Sequence, residues 1–125
     1  MLKNNELRIG NLVNSKNDGI ISITNISEKS VAVSEAHCYN HIPVEFISPI
    51  QLTEEWLLKF GFKKRKNRHL FHWENKIVIS EYKDEFENFF YPKTGYDIRF
   101  SNEIKYVHQL QNLYFALTGA ELTVA

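Results

Sequence analysis

His37, Cys38 and His41 stand within one short stretch and carry the softest donor atoms of the chain. Imidazole and thiolate suit zinc, and three such ligands plus a water make a catalytic centre. A zinc signature normally joins two ligand pairs, and only one is present here. His69 and His72 do not complete it, because residues three apart on a strand point to opposite faces. Cys38 as a nucleophile would need a helix N-terminus or a cationic neighbour to lower its pKa, and no orienting third group can be named. The expectation is a polar loop with a half-buried thiol, no metal and no cofactor. Glu81, Asp84, Glu85 and Glu87 read as a solvated connector without acid–base spacing. No glycine-rich run opens a helix to cradle a phosphate.

The basic run Lys63-Lys64-Arg65-Lys66-Asn67-Arg68 is the strongest local charge. It leads into His69, Phe71 and Trp73. Arginine beside aromatic rings is what nucleotides require: phosphate meets the guanidinium, and the base stacks. The expected ligand-binding set is Arg68, His69, Trp73, Tyr91, Tyr96 and Arg99. Arg68 and Arg99 would hold phosphate, and Trp73, Tyr91 and Tyr96 would stack a base. The competing reading is a solvated sheet edge whose lysines discourage edge-to-edge pairing.

The elements that must position these residues follow from periodicity. Leu7–Val13 reads as a strand with a bulge at Gly10. Asp18-Gly19 signals a hairpin into Ile20–Ile26, and Ser30–Ser34 follows. Ala36–Pro43 reads as a loop and Val44–Ile47 as a fourth strand. Such short strands and tight turns make a small twisted sheet or an SH3-like barrel. Thr53 caps a helix with Glu54 and Glu55 in its first turn, a Leu52–Leu57 staple, a buried face of Trp56, Leu57 and Phe60, and Gly61 at its end. A second meander is expected over His69–Trp73, Lys76–Tyr82, Phe86–Tyr91 and Tyr96–Phe100. Ile104–Thr118 then repeats Ile104, Val107, Leu110, Tyr114 and Leu117 on one helical face, with Ser101 or Asn102 as N-cap and Gly119 past the C-terminus. His108, Gln109, Gln111 and Asn112 are expected on its solvated side. An uncovered Tyr106 or Phe115 beside them would mark a homo-oligomer contact.

The fold expected is α+β: two small antiparallel β-meanders, each followed by one α-helix. They would form a single domain, with 6–62 as its N-terminal half and 63–125 as its C-terminal half. At 125 residues the chain needs neither disulfide nor metal to fold, and its one cysteine excludes an internal disulfide framework. Fifteen basic residues balance fifteen acidic ones, which disfavours a general nucleic-acid coat or a polybasic membrane binder. Met1–Arg8 is too polar for a secretory leader, and no apolar run approaches the ~20 residues of a membrane span. A cytoplasmic location is expected.

Leu7-Arg8-Ile9-Gly10-Asn11, Pro49–Phe62, and Ile104–Gly119 with Glu121-Leu122 resemble a family of small uncharacterised proteins carried by phages and integrated elements of Bacteroidetes. Ala120 departs from an acidic residue in that pattern. The resemblance implies no activity, cofactor or catalytic residue. It favours two settings: binding a host protein, and capturing a host nucleotide signal used in antiviral defence. The function expected is therefore a non-enzymatic binding protein of phage origin that sequesters a small phosphorylated or nucleotide ligand. The alternatives are a protein–protein inhibitor or adaptor acting on a host protein, and a small nucleotide hydrolase.

Overall fold

The computed structural model describes residues 6–16, 19–26, 30–35, 38–64, 70–73, 77–83, 88–93 and 103–124; residues 31–35, 38–41, 70, 72–73, 77, 82–83, 88–89 and 93 are described by their backbone alone. The class is α+β, with antiparallel sheets and two α-helices. The chain divides into two compact units: Met1–Ile50 with Tyr106–Glu121, and Gln51–Lys105 with Leu122–Ala125. The units interleave along the chain, so the helix following each sheet in sequence belongs to the other unit.

In the first unit, β1 (Leu12–Ser15), β2 (Gly19–Ile26), β3 (Ser30–Glu35), β4 (Cys38–Pro43) and β5 (Ile47–Ser48) form one sheet in the order β4-β3-β2-β1-β5. All neighbours are antiparallel. The sheet stays open, with β4 and β5 as its edges, so the barrel alternative is not adopted. Gly19 opens β2 at φ 73°, a dihedral that glycine adopts at no steric cost. Alternation along β1 and β2 buries Val13, Ser15, Ile21 and Ile23. Leu7, Val13, Ile21, Ile23, Ile42 and Ile47 form the core cluster.

Three expectations are corrected here. Leu7–Asn11 is not a strand; Asn11 N–H turns back to the Arg8 carbonyl at 3.1 Å, and Gly10 sits at φ 95°. Most of the expected loop 36–43 is strand β4, paired with β3 from Glu35↔Cys38 to Ser30↔Pro43. Cross-strand pairing overrides the weak β preference of Asn40, and the proline sits at the end of an edge strand, where a missing N–H is tolerated. The expected strand 44–47 is instead a 3₁₀ turn, Val44–Phe46, before the two-residue β5.

In the second unit, α1 (Glu54–Lys59) begins as expected, with Thr53 Oγ1 accepting from Trp56 N–H at 3.4 Å and Glu54 and Glu55 in the first turn. Gly61 follows it at φ 95°. Leu52, Leu57 and Phe60 are buried, whereas Trp56 is only half-buried, beneath the ammonium of Lys59. A four-stranded meander has the order β6 (Lys63–Lys64), β7 (Leu70–Trp73), β8 (Ile77–Lys83), β9 (Asn88–Lys93). The pairs Phe71↔Ile79, Ile79↔Pro92 and Glu81↔Phe90 put all five residues on one face, and all are buried. Pro92 lies in the edge strand β9, two residues beyond the expected Phe86–Tyr91 strand's inward-facing Phe90. The expected strand Tyr96–Phe100 lies outside the described residues.

The last helix, α2, is Val107–Thr118 and belongs to the first unit, where it lies against β1. It starts three residues later than periodicity implied. Tyr106 is its N-cap and its N–H donates to Gln109 Oε1 at 3.2 Å; Ser101 and Asn102 lie outside the described residues. Gly119 ends it in the left-handed conformation, as expected, at φ 75°. Among the described residues no helix is long and apolar enough to cross a membrane.

Candidate functional site

The helix–loop seam of the first unit concentrates its buried polar chemistry. Asn11, His108 and Gln111 are all buried there. This corrects the expectation that His108 and Gln111 face solvent; only Gln109 is exposed, and Asn112 is half-buried. Leu117, expected on the buried face, is instead 52% exposed. The physical reason lies in what 6–12 presents to the helix. Its stretch 10–12 bonds β2 on one side, but β5 pairs only with Asn14 and Ser15, so the backbone groups on the other side need partners from elsewhere.

Helix side chains supply them. Gln111 Nε2 donates to the Gly10 carbonyl at 3.2 Å, and Gln111 Oε1 accepts from Leu12 N–H at 2.9 Å. One side-chain amide thus does the work of a neighbouring strand. Asn112 Nδ2 donates to the Glu6 carbonyl at 3.0 Å, and Asn112 Oδ1 accepts from Asn11 Nδ2 at 2.9 Å. Asn11 Oδ1 in turn accepts from Arg8 N–H at 2.7 Å. On the other side, Gly10 N–H donates to Ile23 and Asn11 accepts from Ile23 N–H.

Arg8 spans the rim. Its guanidinium donates to both Glu121 oxygens, at 2.7 and 3.3 Å, and lies 4.2 Å from the centre of the Phe115 ring. Gly10 leaves room for that carboxylate, because a Cβ there would stand 3.3 Å from Glu121 Oε2. Phe115 keeps 41% of its surface exposed.

Beside this rim is an open hollow of about 490 Å³, with Glu6, Arg8, His108, Gln109, Asn112 and Phe115 among its lining residues. Ligand sites of ~300–1,000 Å³ are usual for small molecules. His108 stacks on Tyr106, with ring centres 5.8 Å apart and planes 9° apart. Its Nε2 is 3.5 Å from Glu6 Oε1, near enough for charge attraction and too long for a well-formed hydrogen bond, and neither ring nitrogen has a hydrogen-bond partner. Burial lowers the His108 pKa below its ordinary 6.5, while the Glu6 charge and contact pull the other way. The Glu6 side chain is 44% exposed. The hollow thus brings a half-exposed aromatic ring, Phe115, and an exposed carboxylate, Glu6, to one surface.

The residues singled out from sequence fall elsewhere. Arg68, His69, Tyr96 and Arg99 lie outside the described residues. Trp73 ends β7 opposite Ile77, and Tyr91 is a half-buried residue of β9 opposite Ser80. At the start of the basic run, Lys63 and Lys64 form the edge strand β6, and Lys64 Nζ pairs with Glu54 Oε1 at 3.1 Å. Phe71, which contributed to the aromatic pattern, is fully buried core. Glu81 is not part of a solvated connector: it is buried and engaged within the chain, while Asp84, Glu85 and Glu87 lie outside the described residues. His37 also lies outside them, and Cys38 and His41 are backbone positions of β4. Among the described residues no three metal-ligating side chains gather.

Sequence reasoning missed Glu6, Arg8 and His108 as a group. A helical wheel carried the available signal: with ~100° per residue, Gln111 and His108 fall about 40° and 100° from Val107, within or beside its buried arc. Comparison with family models, curated proteins and solved structures found no match.

Proposed function

We propose that the protein is a non-enzymatic binding protein of phage origin that sequesters a small nucleotide-type ligand in the host cytoplasm. The observation that supports this reading is the Phe115 ring at the hollow. Its ring carries the Arg8 guanidinium at 4.2 Å, and 41% of its surface remains exposed beside a space of about 490 Å³. Stacking of a base on an aromatic ring contributes ~1–3 kcal/mol and tolerates many bases, which suits a sequestering protein. The phage setting and the defence signal rest on the resemblance of the three sequence blocks.

Calorimetry of the whole protein against a panel of nucleosides, mononucleotides and cyclic nucleotides tests the reading. Binding of at least one, weakened tenfold or more in Phe115→Ala, is the expected result. Absence of heat with every member refutes it. Binding lost in Arg68→Ala or Arg99→Ala and kept in Phe115→Ala would move the site to the basic and aromatic set after residue 63.

A second reading, an inhibitor or adaptor for a host protein, draws on Ile9. This residue follows Arg8 and is 60% exposed, so the first unit presents Ile9 as well as Phe115 to solvent. A stoichiometric complex disrupted by Ile9→Asp, in a protein that binds no nucleotide, would favour it.

A further inference from the structure

The proposed nucleotide site contains a feature that bears on which base it takes. Two amide side chains line the hollow, and amides are the groups that read adenine through one donor and one acceptor. Asn112 has spent both ends: Oδ1 on Asn11 and Nδ2 on the Glu6 carbonyl. Gln109 has its Oε1 on the Tyr106 N–H. Arg8 has committed its terminal nitrogens to Glu121 and the Gln111 carbonyl. The carboxylate of Glu6 is different. It makes one contact, at 3.5 Å to His108 Nε2, and its side chain is 44% exposed.

An ionised carboxylate only accepts hydrogen bonds, and it presents two oxygens side by side. The flat ring that matches it must offer two adjacent N–H donors in its own plane. Guanine does so with N1–H and its exocyclic N2 amino group. Adenine places the bare acceptor N1 beside its amino group, and that lone pair would face a carboxylate oxygen. Cytosine has the same mismatch at N3. Uracil offers one N–H between two carbonyls.

Resting on the nucleotide reading, we propose that the Glu6–Phe115 hollow selects guanine. The ring stacks on Phe115, and the Glu6 carboxylate accepts from N1–H and the N2 amino group. His108, buried with both ring nitrogens free of hydrogen bonds, stands 3.5 Å from that carboxylate. The ribose and any phosphate are left outside this recognition, so guanosine and its phosphorylated forms share the chemistry.

The test is calorimetry of the whole protein with guanosine, guanosine monophosphate, inosine, adenosine and cytidine. Guanosine should bind at least tenfold more tightly than adenosine or cytidine. Inosine, which lacks the amino group, should fall between them. Equal affinity for guanosine and its monophosphate would locate recognition in the base; a much tighter monophosphate would add a phosphate contact and leave the base preference to be judged among nucleosides. Glu6→Gln turns the acceptor pair into one acceptor and one donor, which is the adenine pattern. It should weaken guanosine tenfold or more and strengthen adenosine. The Glu6 backbone carbonyl that holds Asn112 is unchanged in this variant, and an unaltered thermal melt confirms an intact fold. Equal binding of guanosine and adenosine, or an unmoved preference in Glu6→Gln, overturns the guanine inference while leaving nucleotide binding standing. Silence from every ligand overturns both.

Discussion

Replacing Gln111 by leucine would test whether a side-chain amide really substitutes for a missing strand. Gln111 is 2% exposed and bonds Leu12 N–H and the Gly10 carbonyl at 2.9 and 3.2 Å. Leucine fills a similar volume and satisfies neither group. Each stranded backbone group costs about 1–3 kcal/mol. Extra apolar burial returns roughly 1–2 kcal/mol. The balance is a loss of about 1–4 kcal/mol, a sizeable share of the ~5–15 kcal/mol typical of a folded domain. Both tryptophans, Trp56 and Trp73, belong to the other unit, so intrinsic fluorescence is the wrong probe. Urea unfolding followed by far-ultraviolet circular dichroism should be paired with hydrogen exchange at the Leu12 amide. The exposed Leu117→Gln serves as a control expected within about 0.5 kcal/mol of the parent. A Leu12 amide as protected in Gln111→Leu as in the parent, with a stability loss under about 0.5 kcal/mol, would show that Gln111 does not take the place of a strand.

Gly10→Ala combines a left-handed dihedral with a 3.3 Å approach to Glu121 Oε2, and should destabilise by about 1–2 kcal/mol. Adding Glu121→Ala should recover only the contact and not the dihedral penalty; full recovery in the thermal melt would contradict this. His108 gives a pH signature. Burial, the leading cause, holds its folded pKa below 6.5 against the pull of Glu6, so the unfolded chain takes up the proton first. That contribution to stability is whole above the unfolded value of about 6.5 and is lost as pH falls towards the lower folded value. His108→Leu should therefore flatten the difference in urea stability between about pH 7.5 and about pH 5.5; parallel curves for variant and parent would exclude the assignment.

Local signals carried the parts of the fold that local physics decides. Thr53, Glu54, Glu55 and Gly61 bound α1 because caps and dipole act within one turn. Asp18-Gly19 marked the β1–β2 connection because a positive φ is a glycine requirement. What escaped was decided at long range. Cys38–Pro43 mixes the strand formers Tyr39 and Ile42 with Asn40 and a closing Pro43, and becomes β4 because β3 offers a full ladder. Ile104 looked like the first residue of a helical stripe, yet its N–H donates to the Phe90 carbonyl, a partner no window around 104 contains. The site was hidden for the same reason. Arg8 and Glu121 are 113 residues apart in sequence and joined at 2.7 Å.

The polar seam also changes what α2 does for the molecule. A helix held only by Val107, Leu110 and Tyr114 could slide or rotate slightly against its support at small cost, because apolar contacts are non-directional. Gln111 and Asn112 remove that freedom. Between them they bond Gly10, Leu12, Asn11 and the Glu6 carbonyl, so a small shift along the helix axis would stretch four hydrogen bonds at once. The same register sets Phe115 against Arg8 and His108 against Glu6. A binding surface gains most when its groups are already in place before the ligand arrives, since little ordering remains to be done. The amides of Gln111 and Asn112 are thus the link between fold and site: they satisfy backbone groups before and at the start of β1 that no neighbouring strand covers, and in doing so they fix the register of the helix that carries Phe115 and His108.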